Sequence, residues 1–155
     1  MLFTEEEKDS FVKWNEGKAS YFLDDIKGKP MVNVRCKLAN SISFELALLD
    51  TGAEWTVLAL ETVEDFLDVM DGPLESKNIS TRFGLKEGHF YRMPITLLAD
   101  ENMGNNVEVN STVLIVNDWP GPSILGYRGF MERLRIALDP GVYANDAMFY
   151  FGLPQ

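Results

Sequence analysis

The stretch FELALLDTGAEWTVL, Phe44 to Leu58, decides how the fold is read. An apolar run ends in a carboxylate, Asp50, followed at once by Thr51-Gly52-Ala53 and a second apolar run, Thr56-Val57-Leu58. Asp-Thr-Gly is ordinary turn chemistry after a strand: Asp hydrogen-bonds the backbone just ahead of it, and Gly bends freely. A turn alone does not explain why a buried strand delivers an acid. The rest of the chain has to say what Asp50 is for.

Outward from this stretch the pattern is mostly of strands. MVNVRCKL (31–38) partly alternates apolar and polar, and ISFELALLD (42–50) reads as its hairpin partner across Ala39-Asn40. Ser20 to Leu23 is a weaker strand, with a polar turn from Asp24 to Pro30. Val63, Phe66, Leu67 and Met70 recur at helical spacing and Gly72-Pro73 stops them, so a helix is expected over 60–70. Thr4 and Glu7 fit a capping box for another, with Phe11 and Trp14 on its apolar stripe and Gly17 at its end. TRFGLKEGHFYRM (81–93) reads as a hairpin whose tip holds Gly84 and Gly88, and His89 sits at that tip. Strands at 93–100 and 107–116, a short helix from Tyr127 to Leu134, and late strands RIALD (135–139) and MFYF (148–151) complete the chain. Many short strands with few helices predict a mainly β domain, a small barrel or sandwich.

Composition removes several function classes. The net charge of -10, with no basic run, argues against a nucleic-acid partner. A single histidine, His89, rules out a multi-histidine metal site within one chain. A single cysteine, Cys36, rules out an internal disulfide, and its place on an alternating strand predicts inert packing rather than catalysis. Trp14, Trp55 and Trp119 are expected as core or interface anchors. The acidic start and the lack of a long apolar run predict a cytoplasmic protein with no membrane partner. No phosphate-binding glycine loop and no G-x-S-x-G elbow occurs.

Asp50-Thr51-Gly52-Ala53, then Thr56-Val57-Leu58, then Ile124-Leu125-Gly126 stand in the order that defines retroviral-type aspartic proteases, the retropepsins, and the chain resembles that family over roughly 30–140. The resemblance implies a small closed acid-protease barrel with a flap hairpin, a short helix after the Ile-Leu-Gly motif, and an extra helix or two. Asp50 is implied as catalytic, Thr51, Gly52 and Ala53 as support for its loop, and Ile124, Leu125 and Gly126 as the layer behind it. By position, Phe83, Gly84, Leu85, Gly88 and His89 are implied as the substrate-covering flap. No cofactor and no metal is implied.

Metal-free peptide hydrolysis without a covalent intermediate needs two carboxylates that share one proton. The sequence has one Asp-Thr-Gly and no second copy, so the partner Asp50 is expected from another chain across a two-fold axis, in a homodimer acting on a peptide or protein. A serine in place of Ala53 would hydrogen-bond the carboxylate and favour its ionised form; alanine cannot, so activity is expected to peak nearer neutrality than in stomach-type enzymes. The alternative is the same fold used as a non-catalytic dimerisation or peptide-binding module.

Two departures from the family stand out. The acid after the motif is Glu54, but Tyr127 holds the place of its usual arginine partner, and Arg128 comes one residue later. On a helix that offset turns a side chain by about 100°, which would lose or remake the pair. Segments 1–29, read as a helix plus strand, and 141–155, read as a strand for the dimer interface, extend the 30–140 domain at both ends.

Overall fold

A computed structural model describes Thr4, Glu6, 13–26 and 28–154. The helix expected from Thr4 to Gly17 lies largely outside the described residues; Gly17 itself opens a strand. The chain is mainly β. Strands β1 (Gly17–Ser20), β2 (Phe22–Ile26), β3 (Lys29–Leu38), β4 (Glu45–Leu49) and β5 (Thr56–Ala59) precede the helix α1 (Leu60–Val63). They are followed by β6 (Ser76–Thr81), β7 (Gly84–Leu97), β8 (Val107–Val116), β9 (Ile124–Leu125), β10 (Arg135–Asp139) and β11 (Met148–Gly152). Eight strands form one sheet in the order β2-β3-β4-β9-β5-β8-β7-β6, and β3 pairs with β7 as well through Cys36 opposite Leu97. The other three make a second sheet, β1-β11-β10.

Alternation builds the core. Val34, Cys36 and Leu38 of β3, Met93, Ile95 and Leu97 of β7, and Val107 and Val109 of β8 point inward. Phe149 and Phe151 of β11 reach the same core from the second sheet, so burial joins the two layers. Among the described residues no helix is long and apolar enough to cross a membrane.

Three expected elements come out differently. The helix over 60–70 is one α turn, Leu60–Val63, continued as a 3-10 segment, Glu64–Val69, that still packs Phe66 and Leu67 on the core. The helix over 127–134 is only a 3-10 turn, Met131–Arg133. Gly129 breaks it: its φ of 74° lies in the left-handed region, and an added Cβ would stand 2.8 Å from Thr112 Cβ. The hairpin lies out of phase with its sequence reading, since its arms are β6 and β7 and its tip is Arg82-Phe83. Gly88 is not at the tip but buried in β7, opposite Lys77 and Val116, because a Cβ there would meet the Leu114 side chain at 2.6 Å. His89 follows it in the strand, paired with Ser76 and Ile115, so it too is off the tip.

Strand pairing crosses both expected boundaries. β2 pairs with β3 across residue 29, and β10 pairs with β11 across residue 140. The described strands of both extensions therefore pair directly with their neighbours across those boundaries.

Cys36 has no exposed surface, and burial, aided by the nearby Glu45 charge, pushes its thiol up to about 12. Ellman's reagent is expected to leave the native protein unlabelled and to titrate one thiol after denaturation. Rapid labelling of the native protein would contradict this packing.

Candidate active site

Asp50 follows the last residue of β4, where the strand gives way to a tight loop. Its N–H donates to the Leu125 carbonyl at 3.1 Å, its own carbonyl accepts from Ala53 N–H at 3.2 Å, and its Oδ1 accepts from Gly52 N–H at 2.9 Å. The acid therefore organises its own turn while remaining half-buried.

Behind the loop, β9 is wedged between β4 and β5. Leu48 and Leu49 run parallel to Ile124 and Leu125, while Val57 lies antiparallel to Ile124. Gly126 N–H donates to the buried Thr56 Oγ1 at 3.0 Å. Tyr127 N–H then reaches the Ala53 carbonyl at 2.9 Å and Arg128 N–H the Glu54 carbonyl at 2.7 Å. The two separated sequence motifs are thus stitched into one support for the Asp50 turn. Thr56, which sequence reading named only as part of the motif strand, supplies the side chain that joins them.

Asp50 lines a cavity of about 570 Å³ with Gly52 and Ala53 beside it. Leu48, Val57, Ile124 and Met31 give it apolar walls, and residues 77–82 of β6 and the hairpin tip cover it. The covering arm is therefore β6, not the segment expected from sequence. Of the five residues expected there, Phe83 stands at the tip and packs edge-on against Trp119, a cavity residue, at 5.3 Å. Gly84, at φ 97°, closes the tip; Leu85 is exposed, Gly88 is buried in β7, and His89 borders a separate depression with Asn117 and Asp118. Lys77, Ile79 and Thr81 are the more buried residues of β6.

The hairpin is held down at its side. Lys86 Nζ lies 2.9 Å from Asp118 Oδ2 and holds that carboxyl below the usual range, chiefly by hydrogen bonding. Trp119 is fixed in turn by its indole N–H donating to the Pro122 carbonyl at 2.8 Å.

The acid–arginine pair is remade rather than lost. Arg128 Nε stands 3.4 Å from Glu54 Oε1, because Arg128 bridges to Trp55 in parallel rather than sitting on a helix, so the one-residue offset never acts on a helix. Lys77 joins at 3.8 Å from Glu54 and sits over the Trp55 ring at 5.6 Å. These groups are exposed enough for water to screen them, so the cluster orients the rim more than it stabilises it. Trp55 itself forms a cavity wall, with its ring edge-on to Phe90 at 4.7 Å.

Among the described residues no second carboxylate lines the cavity close to Asp50 other than Glu54, which is tied to Arg128 at the rim. Neither a scan against protein-family models nor a search of curated proteins finds a match to this chain.

Proposed function

We propose that the chain is an aspartic endopeptidase of the retropepsin type, with an acid-protease barrel, that cleaves peptides between two Asp50 carboxylates of a homodimer. One observation carries the reading: a half-buried Asp at a strand end, in a turn braced from behind, lies on the floor of an apolar cavity covered by a hairpin arm.

Two such carboxylates facing each other cannot both ionise, so they hold one proton between them. The ionised member takes a proton from a water lying between them, and the water oxygen attacks the peptide carbonyl carbon. The protonated member donates to the carbonyl oxygen. Collapse of the tetrahedral species then breaks the C–N bond as the departing nitrogen takes up a proton. The two protonation states belong to the pair rather than to either Asp50. Leu48, Val57, Ile79 and Ile124 offer apolar contacts for side chains flanking the bond, while Glu54 and Lys77 mark the charged rim.

A broad peptide library incubated with wild type, Asp50→Asn and Asp50→Ala tests the reading. Cleavage by wild type alone is expected. Equal cleavage by all three would sink it, and retained peptides with no cleavage by any of them would favour a binding module.

A further inference from the structure

β4 presents apolar side chains where a half-wetted strand should be polar. A strand with one face in water places polar residues on that face. Ala47 of β4 faces the core, so Leu46 and Leu48 stand on the opposite face. Phe44, just ahead of the strand, shares that face, since Arg35 lies opposite Leu46 and sits over the Phe44 ring at 6.0 Å. Leu48 is buried in the cavity wall, but Leu46 is 51% and Phe44 56% exposed. The neighbouring β3 shows the expected polarity, with Asn33 and Arg35 opposite Leu48 and Leu46. A contiguous apolar strip leading out of a cavity marks an interaction surface.

The backbone beside the strip is open as well. Leu48 N–H donates to the Ser123 carbonyl and Asp50 N–H to the Leu125 carbonyl, so alternate residues of β4 bond toward β9. That strand begins only at Ile124, opposite Leu48. By alternation the N–H and C=O groups of Leu46 point to the same side, and there no described residue bonds to them. Such an edge accepts an extended peptide, which takes main-chain hydrogen bonds from the strand and sets alternate side chains beside it. Edge and strip both run into the cavity, because Leu48 is part of its wall and Asp50 follows the end of the strand. From Leu48 back to Phe44 is about 14 Å of extended chain. The strip itself carries no charge, and Arg35 beside it is already paired with Asp100, so the segment it suits is uncharged and apolar.

We propose that β4 is a docking edge for the substrate. An extended, uncharged apolar segment of the substrate chain, beyond the residues held in the cavity, pairs with β4 at Leu46 and packs on Leu46 and Phe44. This rests on the peptidase reading of Asp50 and extends it from the cleaved bond to the chain that carries that bond.

Synthetic peptides of two lengths test it. The short one holds the bond that wild type cleaves best in the library and ends at the cavity. Two longer ones extend it, at one end or the other, by about six uncharged residues with leucine at every second position, enough to pass Phe44. One of the longer peptides is expected to show at least tenfold higher kcat/KM than the short one, through KM with kcat unchanged. Leu46→Ser and Phe44→Ser, both at exposed positions, are expected to remove that gain and leave cleavage of the short peptide as it was. No gain from either extension, or equal losses on short and long peptides, would overturn the docking edge.

Binding separates this inference from the peptidase reading. The extension alone, labelled with a fluorescent dye, is expected to bind Asp50→Asn by anisotropy, and at least tenfold more weakly once Leu46→Ser is added. That result with no Asp50-dependent cleavage keeps the edge as a peptide site and removes the peptidase. Asp50-dependent cleavage of the short peptide with no binding of the extension does the reverse. Sedimentation addresses the other occupant: if Leu46→Ser or Phe44→Ser weakens self-association, the strip belongs to a second copy and the proposal fails.

Discussion

Asp50→Asn is expected to lower peptide cleavage by about a thousandfold or more while leaving the fold intact. Acid–base assistance by one positioned group contributes about a hundred- to ten-thousandfold, and in the proposed dyad one pair would do both halves of the work. Asn is close to Asp in shape, and its amide oxygen can still accept the Gly52 N–H that Asp50 Oδ1 accepts at 2.9 Å. What it cannot do is take a proton from water or share one with a mate. The far-ultraviolet spectrum and the melting midpoint should therefore stay close to wild type as cleavage disappears. A variant that keeps more than about a tenth of wild-type activity would place the chemistry elsewhere.

Gly126→Ala is expected to cost about 3 kcal/mol and to remove activity with it. A Cβ at 126 would press on the Trp55 carbonyl and stand 2.8 Å from Thr56 N. These are backbone atoms of the strand that carries the motif onward, so no side-chain rotation relieves the contact. The crossing of β9 between β4 and β5 would have to open, and with it the Gly126 N–H to Thr56 Oγ1 bond and the brace behind Asp50. For a chain of this size that loss lowers the melting midpoint by roughly 6 to 12 °C. Unchanged melting and cleavage would mean that the packing behind the Asp50 turn is looser than these contacts describe.

The parts legible in sequence are those where the backbone leaves no choice. Asp50-Thr51-Gly52 marked a strand end and a turn, and Ile124-Leu125-Gly126 marked an apolar pair followed by a residue with no room for a side chain; the two lie in contact. Strand alternation placed β3, β8, β10 and β11 to within a few residues.

Where glycine was taken to mark a hairpin tip, the reading slips. Gly88 is there for space against Leu114, and the hairpin consequently moves out of phase, turning β6 toward the cavity in place of Gly88 and His89. Gly129 ends a helical pattern that apolar spacing alone could not reject. The Glu54–Arg128 pair was doubted because a helix was assumed where Arg128 bridges to Trp55 instead. The described strands at either end, read as additions, pair with each other and with central strands, since which strand a terminal segment joins is a long-range choice that local pattern does not encode.

The central claim is that each active site takes one Asp50 from each of two chains. Wild type and Asp50→Asn, mixed in equal amounts at constant total protein and left to exchange subunits, test it most directly. If both carboxylates are needed, only the pairing of two wild-type chains cleaves, and activity falls to about one quarter of the all-wild-type value. A fall to about one half, linear in the wild-type fraction, would mean that one chain suffices and would contradict the shared dyad.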